Sequence, residues 1–240
     1  FIVLTMGKVG TMTILNSLKR LGLRQVHVHS LRYTRPGVHF LKNVKLSFAQ
    51  ELFFYYKTIT KRLKVRIWLL FIKEVTIISG VRDPFSRTIS AFFEQCHHIG
   101  IDTEQAGCNV VYDSFEHYYD LEASLNWFDK EIKNVFSIDI FSTPFDKEKG
   151  YQVIQKGKYK LFIYRLDHLN NLEEELRMFI GNEDFKIETT GETLVNESYS
   201  QLKKEKRFTL NEFDKVMSSR YLNHFYTEEE IQLLKEKWVQ

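Results

Sequence analysis

The sequence predicts an α/β fold: a central parallel β-sheet flanked by helices and followed by a helical C-terminal tail. Three observations carry this. Short apolar runs alternate with longer stretches of helical periodicity, an order that builds a parallel sheet covered on both faces. Two of the apolar runs lead directly into glycine- or proline-marked helix starts, after Thr5 and after Val81. With 43% hydrophobic and 15% aromatic residues over a length of 240, the chain can bury a substantial core, and its 3 prolines mark no linker. One domain over residues 1–240 is therefore the expected organisation.

Taken in order, Phe1 to Thr5 reads as a strand and Met12 to Leu21 as a helix. Gln25 to His29 alternates apolar and polar residues as a short strand does, so His27 and His29 point to one face. Phe48 to Ile72 mixes aromatic and basic residues at helical spacing. Its aromatic stripe is expected to pack as core; the alternative is a basic amphipathic face for a membrane or an acidic polymer. Its run Trp68 to Ile72 is far shorter than the roughly 20 residues that span a bilayer. Further strands are expected at Glu74 to Val81, Asn134 to Asp139 and Lys160 to Leu166, and amphipathic helices at Tyr118 to Lys133 and Leu169 to Ile180. Thr227 followed by Glu230 is a capping box for a last helix ending near Trp238.

A net charge of +3 suits an anionic cofactor or an acidic glycan and falls short of a nucleic-acid-binding profile. Lys57, Lys61, Arg62, Lys64 and Arg66 are the basic cluster expected to face an acidic acceptor. Two cysteines, Cys96 and Cys108, exclude a disulfide-dense scaffold, and Cys96-His97-His98 with Cys108 matches no common zinc spacing, so no metal is expected. No signal peptide is visible, which points to the cytoplasm of a bacterium, or to a Golgi lumen if an anchor precedes Phe1.

The chemistry concentrates after two strands. Lys8-Val9-Gly10-Thr11-Met12-Thr13 offers a cation, a glycine that lets backbone approach an anion, hydroxyls and a helix N-terminus. An ATP or GTP loop places its lysine after the last glycine and next to Ser or Thr; here Lys8 precedes Gly10, and no Gly-Lys-Ser or Gly-Lys-Thr occurs in the chain. Arg82-Asp83-Pro84, with Arg87 and Ser90 further on, offers a second anion contact. Its plainer reading is a helix start with Asp83 as N-cap and Pro84 as first helical residue. His27 and His29 follow one helix after the Lys8 loop, so their strand end opens onto the same crevice.

The Lys-x-Gly-Thr-x-Thr order resembles the loop that holds the 5′-phosphosulfate of PAPS (3′-phosphoadenylyl sulfate) in sulfotransferases, and Arg-Asp-Pro-x-x-Arg-x-x-Ser resembles their 3′-phosphate loop. His-x-His resembles carbohydrate sulfotransferases that act on glycan hydroxyls. Ser142 to Tyr151, Leu161 to Leu166, Leu169 to Glu173 and Asn196-Glu197-Ser198-Tyr199-Ser200 resemble a bacterial group of capsular polysaccharide synthesis proteins. That group takes its mark from Asn-Lys-Trp-Tyr-Ser, from which this chain departs at Glu197 and Ser198. The resemblance implies a P-loop-like parallel sheet of sulfotransferase type and transfer from PAPS to a carbohydrate, releasing PAP, with no metal required. It makes His29 the general base, assisted by Lys8 and His27. Lys8, Val9, Gly10, Thr11, Met12 and Thr13 would hold the cofactor's 5′ end, and Arg82 and Ser90 its 3′-phosphate. The alternatives are a nucleotide phosphotransferase and a non-catalytic glycan-binding protein.

Overall fold

The computed structural model describes residues 1–32, 41–188 and 197–239, and the chain divides into two compact units. The first comprises residues 1–34, 59–82 and 127–191. It holds a five-stranded sheet of β1 (Ile2–Leu4), β2 (Val26–Val28), β3 (Val75–Val81), β4 (Tyr151–Lys156) and β5 (Tyr159–Arg165), in the order β2-β1-β3-β5-β4. The strands β2, β1, β3 and β5 are mutually parallel, and β4 pairs antiparallel with β5. In register, Leu4 lies beside Val28 and Val3 beside Ile78. Chain order therefore reverses at β1, with β2 on one side and β3 on the other, and the C-terminal ends of these three strands lie together.

Every side chain of β1 is buried, and six of the seven in β3 are, which is why these strands read as continuous apolar runs and not as alternations. The core joins Val3, Ile78, Phe162 and Tyr164 of the sheet to Ile14 and Leu18 of α1 (Thr11–Arg20). Leu176 and Phe179 close it from a later helix of the same unit, Glu173–Ile180.

Three expectations change. β4 lies outside the strands read from the sequence; it forms because Gly157, at φ 55, allows a tight reversal into β5. Asn134 to Asp139 is not a strand. A π-turn, Asp129–Lys133, runs into the short α5 (Asn134–Phe136), which stops at Ser137 in the left-handed region. Phe136, Ile138 and Ile140 are buried. The helix expected over Tyr118 to Lys133 is interrupted, because the Asp120 carboxylate accepts the N–H groups of Glu122 and Ala123 and so turns the chain.

The second unit, residues 35–58, 83–126 and 192–240, is helical. It contains α3 (Pro84–Gln95), α4 (Cys108–Tyr118), α7 (Glu197–Glu205), α8 (Leu210–Ser218), α9 (Arg220–Phe225) and α10 (Glu228–Trp238), the first-unit helix Glu173–Ile180 being α6. Phe85 anchors its core, with ring centroids 5.0 Å from Phe208 and 5.9 Å from Phe213. Reciprocal capping boxes start α8 at Thr209 and Glu212 and α10 at Thr227 and Glu230, the latter as the sequence predicts. Cys96 and Cys108 are both free thiols.

One helix, α2 (Phe48–Phe71), contributes residues to each unit. Its aromatic stripe was expected to be core, yet Phe48, Leu52, Phe53, Tyr55, Tyr56, Leu70 and Phe71 are exposed. The residues that pack inward are Arg62, Val65 and Leu69.

Candidate functional site

The loop between β1 and α1 turns through three left-handed residues, Gly7 (φ 80), Lys8 (φ 60) and Gly10 (φ 77). Lys8 is a non-glycine in this region, a strained conformation that the surrounding structure must hold. Two side chains hold it by the carbonyls. An Arg82 guanidinium nitrogen donates to the Lys8 carbonyl at 3.2 Å, and the Tyr164 hydroxyl donates to the Val9 carbonyl at 2.7 Å. Burial pushes the Tyr164 hydroxyl well above the usual phenol range, so it stays a donor. Two successive carbonyls of the loop are tied back in this way. Gly10 is required twice over: its φ is positive, and a Cβ there would come within 2.8 Å of Leu169 and 2.9 Å of Leu166.

The first turn of α1 has no side-chain cap, and among the described residues the N–H groups of Thr11 and Met12 have no acceptor. Hydroxyls of Thr11 and Thr5 pair at 2.8 Å, which fixes the loop's two ends together, while Thr13 is buried and Met12 exposed. The result is a helix N-terminus with a partial positive charge and unspent donors beside a lysine.

His29 follows β2 and meets this loop. Its Nδ1 lies 2.9 Å from the Thr5 carbonyl, an acceptor that requires the proton on Nδ1 and so leaves the lone pair on Nε2. Buried groups fix the chain around it: Trp127 Nε1 donates to the His29 carbonyl at 3.1 Å, and Arg62 Nε to the Ser30 carbonyl at 3.0 Å. The buried Glu131 carboxylate accepts Ser30 Oγ at 2.7 Å and the Leu31 N–H at 2.6 Å. His27 and His29 do share a face, their rings in edge contact at 4.3 Å. Burial, then the neighbouring His29 and then Lys61 hold His27 down to about 3, so the His27 ring stays neutral near pH 7.

Lys8, Gly10, His27, His29 and Arg82 thus gather at the C-terminal ends of β1, β2 and β3 within one unit. Ser90 belongs to the second unit, on α3, where its hydroxyl pairs with the Tyr199 hydroxyl at 2.9 Å. Asp83 caps α3 by accepting the Ser86 N–H at 2.8 Å, with Pro84 in the first turn, as the plainer reading of that loop held. The expected acceptor-facing cluster is corrected in part. Arg62 is buried and Arg66 Nε donates to the Leu31 carbonyl at 3.0 Å, so both point inward. Lys61 and Lys64 are exposed, and the side chain of Lys57 lies outside the described residues.

Tyr164, Trp127 and Glu131 went unnoticed in the sequence, because a tyrosine in an apolar strand and a glutamate in an amphipathic stretch carry no signal of their own. Asn196 lies outside the described residues, and Glu197–Ser200 forms the first turn of α7.

The family described as putative capsular polysaccharide synthesis protein (NKWYS) matches residues 99–227, more than half of the 240-residue chain. The chain belongs to this family. The matched stretch carries Trp127, Glu131, Tyr164 and Tyr199, whereas Lys8, His29, Arg82 and Ser90 precede it. The Tyr199 ring packs edge-on against Phe93 at 5.1 Å. Neither the curated proteins nor the solved structures gave a match.

Proposed function

We propose that this family member is an enzyme of polysaccharide synthesis that transfers a sulfuryl group from PAPS to a carbohydrate hydroxyl. The observation that supports this reading most is the 2.9 Å bond from His29 Nδ1–H to the Thr5 carbonyl, which turns the Nε2 lone pair away from Thr5, beside the loop proposed to take the anion. The donor set fits a phosphosulfate: an uncapped helix N-terminus supplies N–H groups and Lys8 a cation. Bound there, PAPS would supply an electrophilic sulfur with the 5′-phosphate of PAP as leaving group.

The chain's own contribution is then threefold. His29 Nε2 accepts the proton of the attacking hydroxyl, while Nδ1–H stays on Thr5 and fixes the ring's aim. The His27 ring, neutral at physiological pH, lies against His29 and adds no competing charge. Lys8 and the N–H groups at Gly10 to Thr13 oppose the negative charge that grows on the transferred and departing oxygens. Arg82 is proposed to select the 3′-phosphate.

The test is label transfer from [³⁵S]PAPS into a panel of bacterial polysaccharides, with PAP binding measured alongside. Transfer that disappears in His29→Ala while PAP binding survives supports the reading. PAP binding without transfer to any acceptor, unchanged by His29→Ala, would favour a non-catalytic glycan-binding role.

A further inference from the structure

We propose that the solvent-facing side of α2 docks the protein on an anionic lipid surface, independently of the reaction at the strand ends. The helix has two distinct faces within the first unit. Arg62, Val65 and Leu69, spaced i, i+3, i+7, are buried. Leu63, Ile67, Leu70 and Phe71, spaced i, i+4, i+7, i+8, form a second apolar stripe that nothing among the described residues covers; Leu70 is 77% exposed and Phe71 81%. Trp68 is also exposed, and the part of the helix in the second unit adds exposed Leu52, Phe53, Tyr55 and Tyr56. A helix this rich in outward Leu, Phe, Tyr and Trp has the composition of an interfacial segment, and no helix among the described residues is apolar and long enough to cross a bilayer.

Charge decides the occupant. From Leu52 to Lys73 the sequence carries Lys57, Lys61, Arg62, Lys64, Arg66 and Lys73 and no aspartate or glutamate. Arg62 and Arg66 donate inward to the carbonyls of Ser30 and Leu31, and the side chains of Lys61, Lys64 and Lys73 are exposed to solvent. A second copy of the chain laid on this stripe would set these lysines against one another, and the stretch from Leu52 to Lys73 offers no carboxylate to answer them. Anionic headgroups answer all three while the acyl boundary takes the apolar stripe.

Flotation with phosphatidylcholine vesicles, with and without phosphatidylglycerol, tests the proposal. The parent protein should float at least about tenfold more with the anionic vesicles, and raised salt should reduce the difference. The double variant Leu70→Asp with Phe71→Asp should lose this binding, and Lys61→Glu with Lys64→Glu should weaken it several-fold, all with parent-like circular dichroism and melting. Equal flotation with both vesicle types, or binding that these variants do not change, overturns the proposal. So does a parent that ignores vesicles but is a dimer by light scattering and becomes a monomer in Leu70→Asp, which would assign the stripe to a second copy.

Discussion

Two helices of this protein begin directly after parallel strands, and their first turns are finished in opposite ways. α3 is satisfied from within: Asp83 takes the Ser86 N–H, and Pro84 removes a donor altogether. α1 starts at a left-handed Gly10 with no side-chain cap, and the carbonyls just before it are tied back by Arg82 and Tyr164. A capped start is a device for stability, and on the proposed reading the uncapped one, with its carbonyls restrained, is where an anion binds. On that reading the second strand-to-helix junction contributes a guanidinium, Arg82, and not a helix terminus.

The sharpest way to break this contrast is at the proposed base, His29. His29→Ala should lower sulfuryl transfer by about two orders of magnitude or more while PAP affinity stays near the parent's; steady-state kinetics and calorimetry on one preparation check both halves. Arg82→Ala comes next. It should weaken PAP binding by about 1.5–3 kcal/mol, since it removes a charge-assisted contact and also the restraint on the Lys8 carbonyl.

How much of this was legible in the sequence depends on whether a signal is local. The Lys8 loop, the Asp83 and Pro84 start and the Thr227 capping box are short motifs with their own backbone logic, and the structure contains each at the expected place. β4 had a local signal that went unread, since Gly157 sits in a two-residue reversal between Lys156 and Tyr159. Trp127, Glu131 and Tyr164 had none. Each acts on a backbone group about a hundred or more residues away, on His29, on Ser30 and Leu31, and on Val9, so only the tertiary fold reveals them. The exposed stripe of α2 is the opposite failure: an aromatic periodicity identifies an amphipathic helix but not which face meets the core.

Smaller effects sharpen the contrast between the two helix starts. Gly10→Ala should cost about 1–3 kcal/mol of stability, because alanine is strained at φ 77 and its Cβ would crowd Leu166 and Leu169; chemical denaturation measures it, and PAP affinity should fall too. Asp83→Ala should cost about 0.5–2 kcal/mol of stability through the lost cap and leave PAP affinity unchanged. An Asp83→Ala variant that loses PAP binding would show that the α3 start is also part of the site.

The pH dependence of stability gives a further check near His27. Its folded value of about 3 lies below the ordinary 6.5, so between these values the unfolded chain binds the extra proton. The stabilisation is complete above pH 6.5 and declines as pH falls towards 3. Urea midpoints across that window should drop less steeply in His27→Gln than in the parent.

The most direct test of the central claim is calorimetric titration of the parent protein with PAP and with ATP, each with and without magnesium. PAP should bind equally well with or without the metal, and ATP, which lacks the 3′-phosphate, at least about tenfold more weakly. Magnesium-dependent ATP binding with no heat from PAP would contradict the account and return the Lys8 loop to phosphoryl chemistry.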